Sequence, residues 1–530
     1  MTDIAKNKFP WIIISAGVVL RGVQYLHNTS LCLDEARDVV AGIWDRSLSD
    51  LFAPPPAIYT PTPPAGFFVI EKLIVQAFGD SEYALRLIPL LVSVLSLFLF
   101  YYVAKQYMKP GAARFALILF AILEPLIYYS SQVKPYTIDI AVALLLFLAA
   151  NYIRSNRLSF RDVILLGGVG AALIWFSSPS VFVMAGVGTV SVISAFKTKD
   201  RPKAIRIMLI CLFWAVGFAS HYLLYLHNLT NEYMLNAARG EQCFMPLPPK
   251  TFSDIKWFIN AFFSMFEETA GFYFSKSIAA FLFLVGCISM ASREKERFFL
   301  LISPLPLVLL ASGLSFYAFK QRIILFLMPS LLFFISEGIE EIGDKTRNKA
   351  PMIRTLLIGL LLFHPILSAA SHLFKPISLE HEEIKPVLNY ISKNWKNEDM
   401  LYIHYRAHPA FIYYAKRYGF VENDYIVGVY AGDKNNQWAF SVDYLNVYTG
   451  DLDRLRGKKR VWTLFTNTPM LHKGVDEKIF FEYYLNIIGR RIDFFENDGP
   501  AVYLYDLSRS SASSSYPYDD KVRRELHWNF

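Results

Sequence analysis

A chain of 530 residues that is 54% hydrophobic and 16% aromatic, with a mean hydropathy of +0.32, is too apolar for an ordinary soluble globular protein. Its net charge of +8 does not point to nucleic acid, because most of the excess cations fall in short connections between apolar runs, where membrane topology accounts for them. The four cysteines (Cys32, Cys211, Cys243, Cys287) lack metal-ligand spacing, and no glycine-rich phosphate loop is present.

Repeated apolar runs of about 17–25 residues match a bilayer core roughly 30 Å thick. About eleven spans are expected on this length criterion. They cover residues 10–26, 84–104, 112–129, 136–153, 162–178, 180–196, 205–226, 276–292, 298–314, 322–340 and 353–372. The first follows a short basic tail (Lys6, Lys8) and no small-residue cleavage site follows it, so it reads as an uncleaved signal anchor. Alternate connections are basic. They carry Lys105, Lys109 and Arg114; Arg154, Arg157 and Arg161; Lys197 to Arg206; Arg293 to Arg297; and Lys345 to Arg354. The positive-inside rule puts these in the cytoplasm with the N-terminus. An odd number of spans then puts the C-terminal region on the opposite, extracytoplasmic (periplasmic) side of the plasma or inner membrane. Cys32 and Cys243 share that side, which leaves a disulfide between them open.

The first outer connection, 27–83, opens on Leu31-Cys32-Leu33-Asp34-Glu35-Ala36-Arg37. Residues 34–44 and 66–78 read as interfacial helices, separated by a proline-rich stretch over 54–64 that cannot hold a helix. Carboxylates beside lipid are costly unless water, a cation or a substrate compensates them. Asp34 therefore reads as a general base, with a plain helix-terminal acid as the alternative. Arg37 lies three residues on, on the same helical face. Arg86 opens the second span on the outer side, where a guanidinium suits a phosphate; the alternative is an anchor that snorkels to the interface. Glu124, in Leu123-Glu124-Pro125 near the outer end of the third span, is an acid in an apolar helix and reads as functional by default. Tyr128 to Tyr136 form a polar hairpin in which Lys134 is either a phosphate contact or a loop cation. Arg322, beside Lys320 and Gln321, mildly breaks the charge bias at the outer start of the tenth span. His221 and His227 fit interfacial positions, and Asp139 a packed polar contact.

The tail changes character near residue 375. Strand-length runs at 400–405, 460–465 and 501–507 alternate with helical patterns at 382–395, 409–418 and 475–488, which predicts a small α/β domain. Residues 508–515 form a serine-rich linker before a terminal arm. The predicted domains are thus 1–374 in the membrane, 375–508 as an extracytoplasmic α/β domain, and 509–530 as linker and tail.

Taken in order, Asp34-Glu35-Ala36-Arg37, Thr62-Pro63-Pro64-Ala65-Gly66-Phe67-Phe68, Ala84-Leu85-Arg86-Leu87-Ile88-Pro89 and Glu124-Pro125 with the hairpin to Tyr136 resemble the C-type (GT-C) glycosyltransferases. The likeness is to the branch of protein O-mannosyltransferases and lipid A aminoarabinose transferases. The motifs cover the first 140 residues, and the topology fits over roughly 370. Thr62 stands where relatives often carry a lysine or histidine, Glu124 replaces an aspartate of some branches, and Lys134 an arginine. The resemblance implies a polyprenyl-phosphate sugar donor and a hydroxyl acceptor (glycan, lipid or protein) on the outer face. It makes Asp34 the base and Arg86 a phosphate ligand; from their own positions Glu35 and Glu124 read as further acids, and Arg37, Lys134 and Arg322 as further phosphate contacts. Tyr59, Thr62, Tyr129 and Gln132 are expected to line the substrate cavity. In-line attack predicts inversion, and the cations can stand in for a metal, so no metal or other cofactor is expected. A transporter or flippase would need midplane charges and internal repeats. A non-catalytic envelope assembly protein would not need the acids and Arg86 together.

Overall fold

The computed structural model describes residues 8–44, 46–52, 63–227, 242–346, 352–379, 381–433, 436–440, 444–470, 476–497 and 499–508. The predicted 508–515 linker and the terminal arm therefore lie, apart from Ser508, outside the described residues. The chain forms two compact units, Met1–Asn28 with Ser47–Ile377, and Thr29–Arg46 with Ser378–Phe530. The first connection is thus shared between the units: its acidic stretch belongs with the C-terminal residues and the remainder with the helical bundle.

The bundle unit is a polytopic helical membrane fold. Its helices are α1 (Phe9–His27), α3 (Ala65–Phe78), α4 (Glu82–Leu85), α5 (Leu87–Tyr107), α6 (Pro110–Ile122), α7 (Glu124–Tyr128), α8 (Tyr136–Ser155), α9 (Phe160–Leu173), α10 (Ser180–Lys197), α11 (Arg201–His221), α12 (Phe252–Ser264), α13 (Lys276–Arg293), α14 (Lys295–Ile302), α15 (Pro304–Gly313), α16 (Met328–Thr346) and α17 (Met352–His372); α2 (Leu33–Val39) belongs to the other unit. Among the described residues nine helices are long and apolar enough to cross a membrane, and ten if the pair α6 and α7, bent by 56°, counts as one crossing. The expected span at 162–178 falls below that length, because α9 has only 14 residues. At 1.5 Å per residue it is roughly 21 Å long, short of a full bilayer core. It still runs alongside α11: Arg206 reaches the Leu158 carbonyl, and Trp214 Nε1 donates to Leu166 O at 3.0 Å.

The basic connections do gather at one end of this unit. Lys109 pairs with Asp344 at 2.7 Å, Arg293 with Glu337 at 2.8 Å and Arg354 with Glu340 at 2.7 Å, while Lys203 Nζ donates to Arg154 O at 3.0 Å. At the other end α3 is pinned where Gly66 N–H donates to Trp175 O at 2.8 Å. Helices α13 and α16 cross at Gly286 and Gly338, where a Cβ on either would fall into the partner's backbone. Gly286→Leu is accordingly expected to lower stability by at least about 1–3 kcal/mol, the usual overpacking cost. The melting temperature of the purified protein checks this; an unchanged value would mean that the two backbones do not pack this closely.

The second unit contains α2, which runs on into a π turn at Val40–Trp44, and a five-stranded sheet of order β2-β1-β5-β7-β6. Its strands are β1 (Met400–Ile403), β2 (Tyr425–Val427), β5 (Val461–Phe465), β6 (Arg490–Glu496) and β7 (Ala501–Asp506); β3 (Gly432–Asp433) and β4 (Asn436–Phe440) form a separate ribbon. β1 is parallel to both β2 and β5, and β7 is antiparallel to β5 and β6. Helices α18 (Lys385–Asn394), α19 (His408–Ala415), α20 (Tyr444–Asp453) and α21 (Glu477–Ile488) connect them. β5 and most of β1 are buried along their length, as expected of central parallel strands. The strands predicted from apolar runs are therefore present, and β2 and β6 are additions. β6 (Arg-Arg-Ile-Asp-Phe-Phe-Glu) escaped notice because an edge strand alternates exposed and half-buried positions, so it carries no apolar run.

Candidate functional site

In the second unit, Asp34 occupies the first turn of α2, and Arg37 Nη2 donates to its Oδ1 at 2.8 Å. This is the spacing of one helical face. The Asp34 side chain keeps 27% of its exposure. Glu35 points back instead. It is fully buried, and its Oε2 accepts Cys32 N–H at 3.1 Å as part of a capping box. Cys32 and Cys243, between which the sequence left a disulfide open, are both thiols, as are Cys211 and Cys287.

In the bundle unit, Arg86 sits at the junction of α4 and α5, 1% exposed. A snorkelling anchor would reach water; this guanidinium is enclosed. Glu124 starts α7 and accepts a hydrogen bond from Ser368 Oγ of α17 at 2.9 Å. Its acid stands at a helix N-terminus, where the dipole favours negative charge. In the hairpin, Tyr129, Gln132 and Lys134 are all buried, and Tyr129 contacts Tyr128 and Tyr136 edge-on, each at 5.0 Å between ring centres. Arg322 lies, half-buried, in the 3-10 stretch Gln321–Leu327 that leads into α16. Tyr59 and Thr62 lie outside the described residues. His221 is a core residue, not an interfacial one. It is fully buried, 3.2 Å from Ser178 Oγ and packed against Trp175 and Tyr225, whereas His227 is exposed. Asp139 is buried in the first turn of α8, as a packed polar group would be. Among the described residues no three His, Cys, Asp or Glu side chains gather as a metal-ligand group.

Two ionisable residues went unremarked in the sequence. Arg21, inside the first apolar run, is fully buried. Its Nε donates to Ser93 Oγ at 2.8 Å, Nη1 to Gly17 O and Ala121 O, and Nη2 to Phe120 O, the last three each at 3.1 Å. Pro125 has no N–H to offer Ala121 O, and α6 ends at Ile122, so these carbonyls lose their helical partners. Arg21 replaces them and so caps the bend that presents Glu124. A lone arginine in an apolar run was the signal that could have found it.

Glu71, on α3, is also fully buried, and among the described residues neither carboxylate oxygen has a hydrogen-bond partner. Burial pushes its carboxyl well above the usual value. In the unfolded chain the same group ionises near its ordinary value, so the native state loses relative stability as pH rises from there toward the folded value. Glu71→Gln should therefore raise the melting temperature at pH 8 and leave it unchanged at pH 4. An equal shift at both pH values would show that Glu71 is not held neutral.

A bundle with a bent third crossing, an acidic segment after the first helix, an arginine opening the second crossing and a small C-terminal α/β unit make up a GT-C-like fold. No known family profile and no curated sequence matches it. In three dimensions it is similar to ArnT from Cupriavidus metallidurans bound to undecaprenyl phosphate, with a TM-score of 0.52 at 11% identity, covering 95% of this chain and 99% of that one. Against the same protein in the apo state the TM-score is 0.53 at 9% identity, covering 95% and 98%. At such identities the likeness is one of fold.

Proposed function

We propose that this protein is an inverting glycosyltransferase that moves a sugar from a polyprenyl-phosphate donor to a hydroxyl acceptor on the extracytoplasmic face of the plasma or inner membrane. The observation that carries the reading is the GT-C fold over nearly the whole chain, with buried Arg86 and Lys134 at the bundle end opposite the basic connections. That fold is shared with a protein whose structure holds undecaprenyl phosphate. The charge bias supports an orientation with the basic end in the cytoplasm.

In this mechanism Asp34 accepts the acceptor's proton as its oxygen forms a bond to the anomeric carbon. The bond from that carbon to the phosphate oxygen breaks on the opposite face, and its electron pair leaves with the polyprenyl phosphate. Arg86, Lys134, Arg322 and Arg37 neutralise the charge that develops there, the kind of stabilisation that usually supplies the largest single catalytic contribution. Their fixed positive charge makes a metal unnecessary. Arg37 also orients the Asp34 carboxylate, Glu35 holds the start of its helix, and Glu124 completes the acidic set. Tyr59, Thr62, Tyr129 and Gln132 line the sugar path.

The test is transfer by purified protein in lipid nanodiscs, using a panel of radiolabelled hexosyl- and pentosyl-undecaprenyl phosphates with membrane lipid and glycan acceptors. Transfer unaffected by EDTA is expected. Movement of intact donor across the bilayer without transfer would replace the reading with a flippase.

A further inference from the structure

The start of the acid-bearing segment is held by side chains of the C-terminal unit. A helix begins with backbone N–H groups that have no internal partner. Ahead of Asp34 the backbone N–H groups of residues 30–33, leading into the helix, are taken up in turn. Ser30 N–H donates to Glu383 Oε2 at 2.8 Å, and Ser30 Oγ donates to Glu383 Oε1 at 2.5 Å. Leu31 N–H donates to Tyr414 Oη at 2.9 Å, Cys32 N–H to Glu35, and Leu33 N–H to Glu382 Oε2 at 2.5 Å. Glu382 is itself braced, because its Oε1 accepts from Asn467 Nδ2, just past the carboxyl end of β5. Asn467 takes a positive φ of 38°, which asparagine tolerates better than most residues, and its carbonyl accepts from Arg406 Nη1, just past β1, at 3.1 Å. At the far end of the segment Trp44 stacks on Tyr413 at 5.5 Å. The acidic helix thus starts at the carboxyl ends of the two central parallel strands, where open α/β sheets place their functional groups.

We propose that Glu382 and Glu383 are positioning residues for the transfer reaction, a latch by which the α/β unit sets the place of the Asp34 carboxylate. This rests on the reading of Asp34 as the base. Two carboxylates are suited to the task. Each accepts two hydrogen bonds, and negative charge at a helix N-terminus is favourable. A neutral acceptor would hold the amides less firmly. The residues from 378 onward then have a role in the chemistry without contributing a reacting group.

The experiment compares wild type with the double variant Glu382→Ala and Glu383→Ala, and with Glu382→Gln alone, in nanodiscs. Hydrogen exchange is read at the amides of residues 30–33, and transfer kinetics are read with whichever undecaprenyl-phosphate sugar serves the wild type. In the double variant exchange at residues 30 and 33 should rise about tenfold or more, the loss of a charged hydrogen bond. The amides of β5 and α8 should keep their protection. kcat should fall about 10²-fold, the cost of a misplaced reacting group, with KM for the donor little changed. Glu382→Gln keeps one acceptor oxygen for Leu33 and should recover part of the rate. Unchanged exchange overturns the latch, and faster exchange with an unchanged kcat overturns the positioning role. A variant that also lost protection in β5 would pass the decision to Glu382→Gln. A wild type inert with every donor would sink the transferase reading, and the proposal with it, whereas an active wild type and an indifferent double variant would sink the latch alone.

Discussion

Asp34→Asn should reduce sugar transfer by about 10²–10⁴-fold while expression and melting temperature stay near wild type, because a positioned general base contributes about that much. The amide keeps the shape and an oxygen for Arg37 but cannot accept the acceptor's proton. The structural cost is small. Asp34 is partly exposed, and its contact with Arg37 is an i, i+3 ion pair, worth about 0–1 kcal/mol at a surface. Glu35→Ala serves as the contrast. Glu35 has no exposure and closes the capping box, so its loss should lower stability by about 0.5–2 kcal/mol and reduce transfer only through the helix it holds. Full turnover by Asp34→Asn in the nanodisc assay would remove the base assignment. Equal inactivation by both variants with equal destabilisation would mean that only the helix matters.

Arg21→Met should destabilise the protein by about 3 kcal/mol or more, the scale of breaking a buried polar network. The guanidinium makes four hydrogen bonds at 2.8–3.1 Å to Ser93, Gly17, Ala121 and Phe120. Methionine would leave Phe120 O and Ala121 O unsatisfied in an apolar interior at about 1–3 kcal/mol each. Removing a buried charge offsets part of this, but the charge already lies among oriented carbonyl dipoles, so the orphaned acceptors should dominate. Arg21→Lys keeps the charge but offers one compact ammonium in place of a planar fork, and it should fall between the two. Thermal unfolding of the three proteins in one detergent ranks them. A Met variant as stable as wild type would show that α6 and α7 keep their bend without the cap.

Fold class was legible from hydropathy and charge phase, because lipid and the positive-inside rule act on composition one segment at a time. The central strands β1, β5 and β7 were legible for the same reason, being short apolar runs. Edge strand β6 was not, and the expected span over α9 ran five residues past its end, through the apolar turn at 174–176 that periodicity does not separate from helix. Arg86 and Lys134 were marked by a charge on the wrong side of the topology. Glu35 was marked as an acid, but its inward turn follows from capping geometry, which depends on where the backbone leaves off being helical.

By itself, then, the order of residues determined a polytopic membrane chain and an α/β tail, since each rests on local composition or spacing. Only the tertiary structure decided that Thr29–Arg46 belongs with that tail, that Arg21 caps a broken helix a hundred residues away, and that Glu71 stands buried with no hydrogen-bond partner among the described residues. Those outcomes depend on which backbone groups are left unsatisfied and which distant side chain reaches them, and hydrogen bonds between residues far apart in the chain leave no periodic trace in it.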